Sequence, residues 1–340
     1  MSTTATEIVL PGRVEPDGLL VTHRELPAPG AGQALVEVEA SGVSFAEQQM
    51  RRGKYYDQPA FPFVPGYDLV GTVSAVGTGV DPALIGTRVA ALTKIGGWAS
   101  HAVLDAADLV PVPAELDAAA AETFVVNGIT AWQMLFRTAG VRPGQTVLVH
   151  GANGGVGSTL VQLARAKGIQ VIGTASARHA DAVRALGATW VDYRDDVPER
   201  VRALAPDGVD AVFDHIGGPG IADSFALLAP HGTLVSYGTA ATKNNTGNSR
   251  LPVLRLLARL LWWNAMPNSR SAHFFNLWAG KRDRTHFRAR IAADLGEVFA
   301  LAARGELRAQ VAARIPLTDA AHAMALAESG TVLGKVVLVA

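Results

Sequence analysis

Eleven residues, Val147-Leu148-Val149-His150-Gly151-Ala152-Asn153-Gly154-Gly155-Val156-Gly157, run from an apolar strand through a glycine turn into a helix start. Few folds place those three things together. A helix N-terminus offers unpaired N–H groups and the positive end of its dipole, and residues without side chains let a pyrophosphate approach them. Ala152 stands at the first position of G-x-G-x-x-G, so the glycine pattern alone is weak, and the strand before it and the helix after it supply the context. A tight strand-to-helix turn without a ligand is the alternative reading.

The surroundings repeat the theme. After a helix expected over 128–138, the patterns predict strand 146–150, helix 156–166, strand 170–174 and helix 180–186, then strand 211–214, helix 222–228 and strand 233–237. Repeated βα units of this length imply an α/β fold with a doubly wound parallel sheet. The first third reads differently. Strands are expected at 34–40 and 69–76, the second closed by Gly77-Thr78-Gly79, and further short strands are punctuated by Gly86 and Gly96-Gly97. This is a compact β-rich domain, to which the apolar strand expected at 335–339 can return.

A site for NAD usually carries an acid at the end of the second strand, where it bonds the ribose hydroxyls. Here the strand runs out through Thr174-Ala175-Ser176-Ala177-Arg178-His179. An acid would repel a 2′-phosphate, whereas Ser176 and Arg178 can donate to one. NADPH is therefore the expected cofactor, with an exposed helix-start arginine as the plainer reading of Arg178.

Composition removes several function classes. The 340 residues are 49% hydrophobic and 18% charged with a mean hydropathy of +0.20, which fits a large buried core and not disorder. Thirty basic and thirty acidic residues cancel, so no net field draws in nucleic acid or an anionic membrane. Without a single cysteine there is no disulfide, iron–sulfur cluster, thiolate nucleophile or thiolate zinc site. Residues 1–11 lack a secretory pattern, and the apolar run 251–263 is short and broken by Arg255 and Arg259; a soluble, cytoplasmic protein is expected. H-E-x-x-H, G-x-S-x-G and Walker-type loops are absent. Asn244-Asn245-Thr246 matches a glycosylation sequon and is given no functional weight.

Several short segments, in order and spacing, resemble one family. They are Gly66-Tyr67-Asp68-Leu69-Val70-Gly71, Gly86-Thr87-Arg88-Val89-Ala90, Gly96-Gly97-Trp98-Ala99, Gly128-Ile129-Thr130-Ala131-Trp132, the glycine turn, Asp192-Tyr193-Arg194, Asp214-His215-Ile216-Gly217-Gly218 and Gly334-Lys335-Val336-Val337-Leu338. Along nearly its whole length the chain resembles the medium-chain dehydrogenase/reductase superfamily, in its zinc-independent, quinone-oxidoreductase-like branch. Residues 173–178 and the Arg/Trp-rich segment after Tyr237 are most similar to the subgroup of the vesicle amine transport protein. The resemblance implies a discontinuous GroES-like domain, 1–125 with 277–340, and a Rossmann NADPH-binding domain, 126–276. It also implies a homodimer, and a small hydrophobic electrophile, a quinone or an α,β-unsaturated carbonyl, as substrate. By position it puts Thr130 near the nicotinamide and Gly154, Gly155, Val156 and Gly157 around the pyrophosphate. Ser176, Arg178 and Tyr193 fall around the 2′-phosphate, and Tyr237, Gly238 and Lys335 on the cofactor face. Zinc-bearing relatives carry metal ligands near Ser44 and at Tyr67. This chain departs from the branch at Ser44, Glu47, Gln49 and His179, the last a position where many relatives have lysine.

Without a metal, the protein must position the acceptor, donate a hydrogen bond to its oxygen and exclude water. Tyr55 is the expected donor, because a phenol both stabilises an enolate and relays a proton; a packing tyrosine is the alternative. His150 and His101 read as core histidines, and His215 as structural although close to the cofactor loop. Segment 250–278 reads as a core helix and the last strand of the sheet, with a lid, a dimer contact or a membrane-surface contact as the sharper options. Three functions stay open: a quinone or enone reductase, a 2-enoyl-thioester reductase, and an NADPH-binding protein with little turnover.

Overall fold

The computed structural model describes residues 3–238, 240 and 250–340; the sequon at 244–246 lies outside them. The chain divides into two units, 1–129 with 280–340, and 130–279.

In the second unit six strands form one parallel sheet. Their order across it is Thr189–Asp192, Gln170–Ala175, Thr146–His150, Val209–Asp214, Leu228–Ser236 and Ser271–Phe274. In chain order that is third, second, first, fourth, fifth, sixth. The direction of winding reverses between Thr146–His150 and Val209–Asp214, which leaves a crevice at their carboxyl ends. Helices on the faces explain the unbroken apolar strands: Leu148, Val212 and Leu234 are fully buried and pack with Val201, Ile221 and Leu260.

The first unit holds a seven-stranded sheet. Along it run Val311–Pro316, Lys335–Val339, Gln33–Val43, Asp68–Val76, Arg88–Leu92 and Val110–Pro111, with His101–Asp105 also paired to Gln33–Val43. The strand Lys335–Val339 lies antiparallel to Gln33–Val43, from Val336 opposite Val43 to Val339 opposite Ala40. Segments from the first third of the chain and from its last part thus build this sheet, while Thr3–Val9 and Leu20–Leu26 form a separate antiparallel pair. One core joins Val36, Val38, Leu69, Val73 and Val89. A second joins Ile8, Val43, Trp98, Ile315 and Val336, with Trp98 Nε1 donating to Gly42 O at 2.9 Å.

Several elements depart from expectation, three of them near the site or the cores. The helix expected over 128–138 begins at Ala118, runs to Trp132 and closes in a π-helical turn, Gln133–Thr138. Gly128 is thus interior to a helix and not its start: a Cβ there would lie 2.8 Å from Val298 Cγ1, so close packing explains the glycine. Strand Thr189–Asp192, four residues long, and helix Arg284–Ala303 were not anticipated. Segment 250–278 does contain a helix, Arg250–Ala265, and the sheet's last strand. Its helix has two apolar faces. Leu256 and Leu260 are buried and Trp263 stacks on Phe225 at 4.3 Å, while Leu254, Leu261 and Trp262 are 60–70% exposed. Among the described residues no helix is long and apolar enough to cross a membrane.

Candidate functional site

At the glycine turn the strand Thr146–His150 leads into helix Gly155–Ala166. Gly151 has φ +66°, a conformation that side-chain-bearing residues avoid, and a Cβ there would press within 2.4 Å of His215 Cε1. At Gly157 a Cβ would lie 2.1 Å from Gly151 O, so only glycine lets the helix pack this close to the turn. Gly154 differs: its Cβ would meet nothing nearer than Gly151 O at 3.4 Å, which leaves its backbone open to approach. Ala152, in place of the motif's first glycine, is accommodated by the neighbouring strand. A Cβ on Gly173 would fall 2.8 Å from the Ala152 methyl, so the glycine missing from the turn is present opposite it.

Beside the turn the strand ends are tied by buried polar groups. His150 meets Thr174 Oγ1 at 3.2 Å through Nδ1 and Ser224 Oγ at 3.1 Å through Nε2. Ser224 donates to Asp214 at 2.7 Å, and the other Asp214 oxygen accepts from the backbone of Ile216 and Gly217. Burial lowers the His150 pKa against the pull of Asp214, so the ring is a neutral, satisfied core histidine. The Asp214 carboxylate holds the loop 215–218 at the crevice. Tyr237 N donates to Asp214 O, Ala240 N donates to His215 O, and a Cβ at Gly238 would lie 2.7 Å from that same carbonyl. Tyr237 and Gly238 thus border the loop, with the Tyr237 phenol pushed upward by burial and by Asp214.

Ser176 and Arg178 follow the end of strand Gln170–Ala175, Ser176 half-buried and Arg178 exposed. Tyr193 stands beside them, 57% exposed, because Asp192 pairs in register with Ala175. This end is not free of acid: Asp192 lies here, on the strand that sequence patterning missed. Arg194 engages it through Nε at 3.0 Å and Nη2 at 2.7 Å and holds its pKa down at about 2. The pair is neutral overall, so the Asp192 carboxylate is compensated. His179 is buried, and burial followed by the Arg178 charge lowers its pKa. Arg178 is therefore the accessible cation. An open Gly154 backbone, a compensated acid and an exposed arginine fit a dinucleotide with a 2′-phosphate.

Thr130 lies buried on helix Ala118–Trp132. In the β-rich unit, Tyr55 Oη and Tyr67 Oη are 2.8 Å apart, with rings edge-to-face at 6.3 Å. Tyr67 had been noted only as the site of a zinc ligand in relatives; its value is visible only once the fold brings it to Tyr55. Burial, then the neighbouring phenols, drive the Tyr55 pKa far above the ordinary range. Lys335 Nζ donates to Asp68 at 2.8 and 3.1 Å and to Glu122 at 2.6 Å, and all three side chains are buried. The cluster braces the β-rich unit. A Cβ on Gly42 would collide with Lys335 Cε at 2.0 Å, so that glycine makes room for the cluster. The departures at Ser44 and Glu47 are architectural too: they form a capping box on helix Phe45–Arg51.

Residues 30–114 match the alcohol dehydrogenase GroES-like domain and residues 186–338 the zinc-binding dehydrogenase family. A mycobacterial quinone oxidoreductase of known structure is 30% identical, with a TM-score of 0.81, over 99% of this chain and 100% of that one. The chain belongs to the medium-chain dehydrogenase/reductase superfamily. Another member, the Escherichia coli quinone oxidoreductase solved with NADPH, is 27% identical, with a TM-score of 0.86, over 98% of this chain and 100% of that one. The human synaptic vesicle membrane protein VAT-1 homolog is 39% identical over 241 residues, which are 70% of this chain and 60% of that protein. The match thus spans less than two thirds of that relative. The chain lacks cysteine altogether.

Proposed function

We propose that this chain is an NADPH-dependent, zinc-independent reductase of quinones or α,β-unsaturated carbonyls. The observation that carries the reading is the end of the second strand, where Arg178 is exposed and Asp192 is neutralised beside an intact glycine turn. NADPH supplies the hydride when bound. Gly154, Gly155, Val156 and Gly157 present backbone to the pyrophosphate, and Ser176, Arg178 and Tyr193 hold the 2′-phosphate. Tyr237 and Gly238 border the cofactor from the neighbouring loop, and Thr130 takes the place beside the nicotinamide. On the acceptor side, the Tyr55 phenol donates to the carbonyl oxygen as negative charge develops there. A neutral phenol flanked by the Tyr56 and Tyr67 rings suits a small uncharged electrophile better than a charged one. The relatives named as quinone oxidoreductases support this choice of acceptor.

The test is NADPH oxidation followed by nicotinamide absorbance against a quinone, a simple enone and an enoyl thioester. Turnover of the quinone or the enone is expected. Preference for the thioester would replace the substrate class, and saturable NADPH binding without turnover of any acceptor would point to a binding protein.

A further inference from the structure

Tyr55 lies in a stretch, 53–62, without helix or strand, and is half-buried. Tyr67 is 5% exposed and held from both sides of its peptide. Its N–H donates to the buried Glu47 carboxyl at 2.6 Å, and its carbonyl accepts from Thr93 at 2.9 Å and Lys94 at 3.1 Å. Glu47 is itself fixed by Ser44, whose N–H donates to it at 2.9 Å. Of the two phenols in contact, one is on a rigid frame and the other on a loop.

That asymmetry has a chemical consequence. A phenol hydroxyl has one proton to give. If Tyr55 gave its proton to Tyr67, its lone pairs would face an incoming carbonyl oxygen, which needs a donor. Tyr56 also neighbours Tyr55, with ring centroids 4.7 Å apart. If Tyr67 and Tyr56 both donate to Tyr55, the Tyr55 proton is left for the substrate, and each hydrogen bond in the chain strengthens the next. Charge developing on the substrate oxygen is then shared along two phenols with no proton leaving either.

We propose that Tyr67 is the positioning residue of the carbonyl site: its buried hydroxyl donates to Tyr55 Oη and commits the Tyr55 proton to the acceptor. This rests on the reductase reading above. It gives a role to a side chain that stands where zinc-bearing relatives have a metal ligand, with one polarising device in the place of another.

The experiment is a double-mutant cycle on the full chain with Tyr55→Phe, Tyr67→Phe and the pair, reading kcat with the preferred acceptor and the dissociation constant of NADPH. Tyr55→Phe is expected to lower kcat about a hundredfold, in the range of a positioned acid. Tyr67→Phe is expected to lower it about tenfold, as for loss of one hydrogen bond, with NADPH affinity unchanged. In the Tyr55→Phe background the second substitution should change kcat by less than about twofold, because its effect passes through the first residue. An undiminished Tyr67→Phe effect in that background overturns the proposal alone. A wild-type chain that binds NADPH and reduces no acceptor overturns the reductase reading and the proposal with it. Should Tyr67→Phe not fold, 3-fluorotyrosine placed at 67 is a stronger donor and should raise kcat only where Tyr55 is present; no change would count against the proposal.

Discussion

Inside the β-rich unit, Lys335 bridges Asp68 and Glu122 with all three groups out of water. Burial and neighbouring Asp68 push the Glu122 pKa well up, so Glu122 is held neutral. Lys335→Met should remove the one cation of this buried cluster and cost about 3–5 kcal/mol in denaturant unfolding, as breaking a buried pair does. Glu122→Gln keeps a neutral polar group and should cost far less. The sign of its pH dependence is also fixed. Folded Glu122 keeps a proton that the unfolded carboxyl loses above about pH 4.3, so the group lowers stability as pH rises beyond that value. Glutamine should remove that slope. Tyr55 gives a second expectation at this scale. Its pKa is driven far upward, so kcat should show no alkaline loss from phenol ionisation up to about pH 10. An alkaline limb that disappears in Tyr55→Phe would contradict its environment as described.

Among the elements, the glycine turn and Gly173 work as one unit. Gly173→Ala would set a methyl against Ala152, Ala188 and Val183 and should destabilise the protein by about 1–3 kcal/mol, as overpacking does. The coupled variant Ala152→Gly with Gly173→Ala should recover part of that loss, measured by thermal or denaturant unfolding. This pairing shows what periodicity can and cannot deliver. The βα alternation was legible because strands covered on both faces are uniformly apolar, and the glycine turn was legible because its neighbours in sequence are its neighbours in space. Gly173 opposite Ala152, and Tyr55 against Tyr67, depend on which strands and loops meet, and no local pattern carries that. Strand Thr189–Asp192, four residues long, was too short for a pattern to emerge, so the pairing that brings Asp192 level with Ala175 was not legible. Helix Arg284–Ala303 was readable in principle: its buried Ile291, Leu295, Val298, Phe299 and Ala302 recur at helical spacing between charged residues that obscure them. The partners of Lys335 lie at positions 68 and 122, far from it in sequence, so no local pattern shows the cluster.

At the scale of the molecule, the chain combines a sheet built from its first third and its last part with a parallel sheet wound in the order that leaves a crevice at its strand ends. The first carries the paired phenols and the second the nucleotide turn. In the proposed function NADPH reduces the acceptor and is selected over NADH at Arg178. The direct measurement is kcat/KM for NADPH and for NADH with the preferred acceptor, in the wild-type chain and in Arg178→Ala. The wild type should prefer NADPH by about tenfold or more, the scale of one charge-assisted contact, and Arg178→Ala should erase most of that preference by weakening NADPH alone. Equal use of the two cofactors by the wild type, or a preference that survives Arg178→Ala intact, would contradict the account.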